Sequence, residues 1–521
     1  MPFLRPRFAP LAVILFAAAP LPLAAQLPPL TAPKGLFRLE LGGRLDNWDK
    51  MFFEGAKRDA AADFVRDPID GSWLPVLTET EQRLRALTGV QASLALSLGK
   101  TSAHELVNVG TESIGAAYGL TRRLTLFGTI PIVRVRVQAV VSLDSTGATA
   151  GFNPAHPSFG SSAGASEVSE FLNQLAAALT TLSDELAAGS FDNDLAKKAL
   201  AEATLARGTA LQNGLQEFYG TAIFLPLAGT AGATAVNGSV DSLRSRLVTD
   251  FNIPFAAAPV FPTIGLPPEG LESFATSPDG PIQAQPFEPP ILRGIGDVEI
   301  GAAYLWLDHR PASGGLAVRS ALQGTVRLRT AKLGRPDGLF DLPTGDRQPD
   351  MQGDLVTDVG AGRIGARITA RYVLQLPARQ ERRLTPPDQP LAPATTLAEV
   401  ERDPGEIVEA ALEPYVRIAS HFSIVGGIRH WKKGIDKYSY TPNQAPIAGT
   451  TPAVLALGSK TDGTVLSAAL SFVHDGLRRD GTAGIPIDAI LRGELVVGSG
   501  QGRVPVKQSI SLVLRLYRRI F

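Results

Sequence analysis

Ser509–Phe521 reads SISLVLRLYRRIF. Ile510, Leu512, Leu514 and Leu516 alternate with polar or smaller residues, so an extended chain here has one apolar face. The run holds no turn residue and ends on the aromatic Phe521. A tilted strand crosses a bilayer with about 9 to 11 residues, so this segment is long enough to span one.

The same period recurs upstream. Gly35–Asp46 puts Phe37, Leu39, Leu41 and Leu45 on one face and Arg38, Glu40 and Arg44 on the other. Ile114–Leu120 and a strand from Leu124 flank a tight Thr121-Arg122-Arg123 turn. Beyond Ile132 the apolar positions move to Val133, Val135 and Val137, interleaved with Arg134 and Arg136, which predicts a bulge near Pro131. GIGDVEIGAAYLWLD and GLAVRSALQGTVRLRT continue the series. Further candidates cover 354–359, 363–376, 406–418, 422–432, 464–474, 486–497 and 504–521. Closed membrane barrels keep an even strand number with short turns at one end and long loops at the other. Placing short links at 121–123, 308–315, 360–362 and 419–421 on one side satisfies that rule with about twelve strands, ten or fourteen being the neighbouring even solutions. The alternating stretch 90–98 then belongs to an outer loop or a strand extension.

The expectation is therefore an all-β fold, a transmembrane antiparallel β-barrel with a large extracellular insert at 143–293. A soluble sandwich or propeller shares the period but has no reason to segregate long and short loops. Composition agrees: 52 Gly and 40 Pro in 521 residues suit one large β-structure with long loops. With no Cys, disulfides and thiolate metal sites are excluded. Fifty basic against 50 acidic residues give no global field toward nucleic acid. Residues 1–25 carry Arg5 and Arg7, an apolar run from Leu11 to Ala19, and Ala24-Ala25, the layout of a secretory signal with cleavage expected before Gln26. The mature chain, 26–521, is expected to form the barrel.

The carboxy-terminal strand resembles the closing strand of bacterial outer-membrane barrels, with Tyr517 and Phe521 as the assembly signal and Arg519 where such endings usually carry an apolar residue. That resemblance implies the outer membrane of a Gram-negative-type bacterium, with its lipid and the barrel-assembly machinery as partners. YGLTRRLTLFGTIPIVRVRV, GIGDVEIGAAYLW and LPTGD at Leu342–Asp346 resemble the outer-membrane transporter-like family of the meta-pathway of phenol degradation. The likeness covers barrel strands from about residue 105 onward and implies a channel for hydrophobic compounds.

The insert divides by composition. Ser142–Gly164 reads as a flexible Gly/Ser link. Val168, Leu172, Leu175, Leu179, Leu182 and Leu186 mark a helix over 166–188 capped by Ser166, and a second begins at Asp194, making a hairpin of about 166–216. In the Pro-rich stretch of about 251–268, Phe251, Ile253, Phe255, Val260, Phe261 and Ile264 stand among prolines that break both helix and strand. These six are the candidates for an apolar entry loop or a plug.

If the apolar face meets lipid, the other faces the lumen. Arg319, Arg327, Arg329, Arg363, Arg367 and Arg371, with Glu299, Glu409 and Glu413, are the lumen candidates. Further acids read as inward are Glu40, Asp297, Asp488 and Glu494. They act either as a selective ring or as pairs that neutralise one another across the barrel. The six His are scattered, with no nucleophile signature and no ligand spacing, so no catalytic residue, cofactor or metal is expected. His430-Trp431-Lys432 reads as an interfacial anchor. The function that follows is passive passage of small hydrophobic or aromatic compounds. The alternative is a structural or adhesive barrel whose helical insert binds a protein or surface polysaccharide.

Overall fold

The computed structural model describes residues 27–90, 94–311, 315–474 and 485–519. The signal segment and Phe521 lie outside them, as does part of 90–98. Twelve long strands form the wall: β1 (Leu36–Trp48), β2 (Lys100–Gly119), β3 (Leu124–Asp144), β4 (Glu299–His309), β5 (Ala317–Arg327), β6 (Asp350–Ala361), β7 (Ile364–Gln375), β8 (Ile407–Arg417), β9 (Phe422–Lys433), β10 (Thr461–His474), β11 (Ile487–Gly498) and β12 (Gln508–Arg519). Each pairs antiparallel with the next, and β12 pairs with β1 over Leu36↔Arg519 to Asn47↔Gln508. Closure removes the free edges of the sheet. A short extra strand, Leu292–Ile295, continues the sheet beside β3 where β4 has not yet begun.

Alternation places the side chains as the period requires. Leu41, Leu45, Ile114, Ile130, Ile300, Leu322, Ile368, Leu412, Ile428, Leu470, Leu491 and Leu512 all stand exposed on the outer face. Such a band is tolerable only against lipid, and with the closed sheet it makes the chain an outer-membrane β-barrel. One end carries the links 120–123, 310–316, 362–363, 418–421 and 475–486, three of them tight, whereas the other carries 49–99, 145–298, 328–349, 376–406, 434–460 and 499–507, most of them much longer, which sets the periplasmic and extracellular ends. Among the described residues no helix is long and apolar enough to cross a membrane.

β3 itself carries no extra residue at Pro131: β2 and β3 pair without a register break from Lys100↔Asp144 to Gly119↔Thr125, and the irregularity lies on the other side, where the neighbouring chain has one residue more between Thr129↔Glu299 and Ile132↔Ile295. The change of apolar face is real and has another cause. Above Ile132 the strand has left the hydrocarbon, so Arg134 and Arg136 stand outward in polar surroundings, while Val133, Val135, Val137, Ala139 and Leu143 face inward against the insert.

That insert is an ordered helical domain of α2 (Ser162–Ala187), α3 (Leu195–Thr221), α4 (Ala231–Phe251) and α5 (Gly270–Thr276), joined by α1 (Pro75–Thr88) from the first loop. The expected hairpin is present. Its first helix starts earlier than read, capped by Ser161 through the Gly164 N–H, and the second is capped by Asp194 through the Lys197 N–H. The Gly/Ser link is packed rather than flexible: Asn153 is buried and donates to the Tyr219 and Ala222 carbonyls. Phe152 stacks on Phe159 and Phe224 with ring centroids 5.0 and 5.5 Å away. Leu94, Leu96 and Leu98 are buried in the same core, so the described part of 90–98 is outer loop.

Candidate functional site: the lumen and its outer mouth

The lumen wall carries a belt of alternating charge. Arg327 of β5 lies 2.9 Å from Asp350 and 3.4 Å from Glu299. Asp354 meets Arg371 at 2.7 Å, and Arg371 meets Glu409 at 3.4 Å. Glu409 meets Arg429 at 3.3 Å, Arg429 meets Glu494 at 3.9 Å, Glu494 meets Arg44 at 2.9 Å, and Arg44 meets Asp46 at 2.8 Å. Nearer the periplasm, Arg319 pairs with Asp308 at 3.2 Å, Arg367 with Asp358 at 2.6 Å, Arg492 with Glu413 at 2.5 Å and Arg515 with Glu40 at 2.5 Å. The arrangement is one of neutralised pairs rather than a ring of one sign.

Several expected lumen residues sit elsewhere. Arg329 lies past the end of β5 in an outer loop, donating to the Pro377 carbonyl at 2.9 Å. Arg363 is in the periplasmic turn before β7. Asp297 lies outside the strands and accepts from the Thr330, Ala331 and Arg347 N–H groups. Thr344 of LPTGD docks beside it, donating to the Ile295 carbonyl, so two of the motifs noted in the sequence form one tie. Gly345 has no room for a Cβ there, since one would stand 2.5 Å from the Asp297 carboxylate. Trp431 is no lipid anchor: it faces inward against the cluster of Phe52, Val504 and Val506, because β9 turns its odd positions to the lumen. Tyr517 also points inward, its hydroxyl donating to Asp488 at 2.6 Å.

The periplasmic end of the lumen is crossed by the segment before β1. Leu27 packs on Val425 and Ala469. Pro28 accepts from Arg367 at 2.9 Å, and the Ala32 N–H donates to Thr125 on the opposite wall at 2.9 Å.

At the other end four outer loops converge on a pocket of about 240 Å³. Met51 and Phe53 come from the β1–β2 loop, Leu339 and Phe340 from β5–β6, Pro387 and Pro390 from β7–β8, and Arg503 from β11–β12. Phe64 also lines it, stacked on Phe340 at 4.4 Å between centroids, with Phe287 behind both. Arg503 lies over the Phe53 ring at 5.1 Å and ion-pairs with Asp63. Burial pushes the Asp63 carboxyl above its ordinary value, against the pull of that guanidinium. The sequence reading missed these residues. The aromatic pair at Phe52-Phe53 and Phe340 in otherwise turn-rich loops was the available signal.

The entry-loop candidates lie beside the helices. Phe251, Ile253 and Phe255 are buried in the helical core, Val260 and Phe261 pack against it, and Ile264 is exposed. Tyr219 fixes this segment, donating to the Val260 carbonyl at 3.0 Å. Among the described residues no group of three His, Cys, Asp or Glu could hold a metal ion.

No protein-family model matches the chain. No curated protein matches it either. Solved structures do. An outer membrane channel from Pseudomonas putida F1 is 9% identical, with 94% of this chain and 96% of that one covered at a TM-score of 0.41. A FadL homologue of Pseudomonas aeruginosa is 8% identical over 93% and 90% at 0.25. The toluene transporter TodX of Pseudomonas putida is 10% identical over 94% and 90% at 0.22. Overlap this loose leaves the barrel to stand on its own strand pairing.

Proposed function

We propose that the protein is an outer-membrane channel for passive passage of small hydrophobic or aromatic compounds. The observation that carries this is the aromatic pocket built by four converging loops over the barrel mouth. Most of its wall is Phe, Met, Leu, Ala and Pro, a lining that suits an apolar guest, and its charged groups are Asp63, Glu105, Asp341 and Arg503, of which Arg503 is paired with Asp63. A solute leaving it meets a lumen whose charges are already paired. Flux into the periplasm requires residues 27–33 to shift, and their hold on the wall includes the contacts at Arg367 and Thr125.

Liposomes carrying the protein should take up a substituted benzene faster than empty liposomes. Phe64→Ala combined with Phe340→Ala should slow that uptake by about fivefold or more, roughly 1 kcal/mol of lost contact, without changing the heat-modifiable gel migration of the folded barrel. Uptake equal to that of empty liposomes across a panel of aromatic and aliphatic compounds would overturn the reading.

A further inference from the structure

The outer wall carries a second concave feature, separate from the lumen. Two adjoining furrows of about 1320 and 570 Å³ run obliquely across the lipid-facing side of the barrel from β10 to β3. They lie between successive rows of outward side chains, where Ala468, Gly493, Gly110 and Gly43 leave the wall bare between Leu45, Ile510 and their neighbours. A Cβ built on Gly43 meets nothing within 4 Å, so the furrow there is open space.

At its upper end the furrow reaches three exposed arginines. Arg134 and Arg136 are outward positions of β3, and Arg293 lies directly opposite Arg134 on the flanking short strand. Like charges facing each other across a strand pair are destabilising. Most arginines inside the barrel have a carboxylate partner, yet among the described residues none of these three side chains makes an ion pair or a hydrogen bond. Glu112 stands one row below Arg134, leaving the group net positive. Ten residues separate Arg134 from the periplasmic start of β3. At a rise of about 3.3 Å and a tilt of about 40° that is roughly 25 Å of height, the thickness of the apolar band. The arginines therefore stand at the outer headgroup level, with the furrow descending into the hydrocarbon.

We propose that this furrow docks a phosphate-bearing, acylated sugar lipid of the outer leaflet. Arg134 and Arg293 hold the phosphate, Glu112 accepts from sugar hydroxyl or amide groups, and an acyl chain lies along the bare wall past Gly110 and Gly493. Arginine suits phosphate because its planar fork gives two parallel charge-assisted hydrogen bonds. The anion also removes the repulsion between the two guanidinium groups.

The test is binding of a bis-phosphorylated lipid A-type disaccharide to the full-length protein in nanodiscs, read by native mass spectrometry. Binding should weaken tenfold or more in the Arg134→Ala, Arg293→Ala double variant and for the dephosphorylated lipid. Gly43→Leu, which keeps the arginines, should weaken it severalfold by filling the furrow. Inorganic phosphate at millimolar concentration should not displace the lipid. Equal binding by the double variant, by the dephosphorylated lipid or by Gly43→Leu overturns the proposal, as does displacement by phosphate alone. Both Arg134 and Arg293 are solvent-facing, so the double variant should keep the heat-modifiable migration of the wild type, and its aromatic uptake should be unchanged.

Discussion

Glu409 is the residue on which the lumen belt turns. Its carboxylate is nearly buried and meets Arg371 on one side and Arg429 on the other. Removing one member of such a group strands its partners' charges, which costs about 3 to 5 kcal/mol when they are buried. Arg371 and Arg429 are each a third exposed, so solvent screening lowers that figure. Glu409→Leu should lower the urea-unfolding free energy of the barrel by about 1 to 3 kcal/mol, and adding Arg371→Met should recover part of the loss. A Glu409→Leu barrel with an unchanged midpoint would show that the belt contributes nothing to stability. Glu409 and Arg371 were visible as inward positions, and Arg429 was not singled out. Their pairing was not, because it depends on the register between strands far apart in the chain.

At the level of elements β3 is the most instructive. Its apolar face changes at Ile132, and a reading that assumes a membrane on both sides of that point demands a bulge. The strand instead runs straight, and its surroundings change from lipid and lumen to water and helical core. The consequence is directional. Ile130→Arg places a charge in the apolar band and should cost about 2 to 4 kcal/mol near the bilayer midplane, whereas Arg136→Ile, above the band, should change stability by less than about 0.5 kcal/mol. Equilibrium unfolding in lipid vesicles measures both, and equal costs would contradict the boundary at Ile132. α4 was equally available to a sequence reading, since Val236, Val240, Leu243 and Leu247 recur at helical spacing and are buried. The Gly/Ser-rich approach to α2 misled because composition alone conceals Phe152, Phe159 and Asn153.

On the scale of the whole molecule the outer loops form a tied dome. Asp436 joins two of them, accepting from Arg402 at 2.8 Å, from the Gly405 N–H at 3.0 Å and from Lys433. Burial pushes its carboxyl up, but the Lys433 hydrogen bond and the Arg402 charge outweigh that and hold it below its ordinary value. A carboxylate depressed in the folded state contributes stability in full above its unfolded value of about 3.9, and the contribution is lost as pH falls through the lowered one. Pepsin cleavage within 434–460 should therefore rise as pH drops from about 4 to about 2. In Asp436→Asn, cleavage should already be high at pH 4 and change little below it.

The alternation that turns an apolar face to lipid, an even-stranded barrel of about twelve strands and the place of the helical hairpin were determined by the sequence alone. Period two, period 3.6 and turn chemistry are local properties that each segment carries by itself. Only the tertiary structure decided that the lumen charges neutralise one another, that Trp431 and Tyr517 face inward, and that Phe64, Phe340 and Arg503 meet over the mouth. Those outcomes depend on strand register and on which distant loops touch, and contacts between residues hundreds of positions apart leave no periodic trace in the chain.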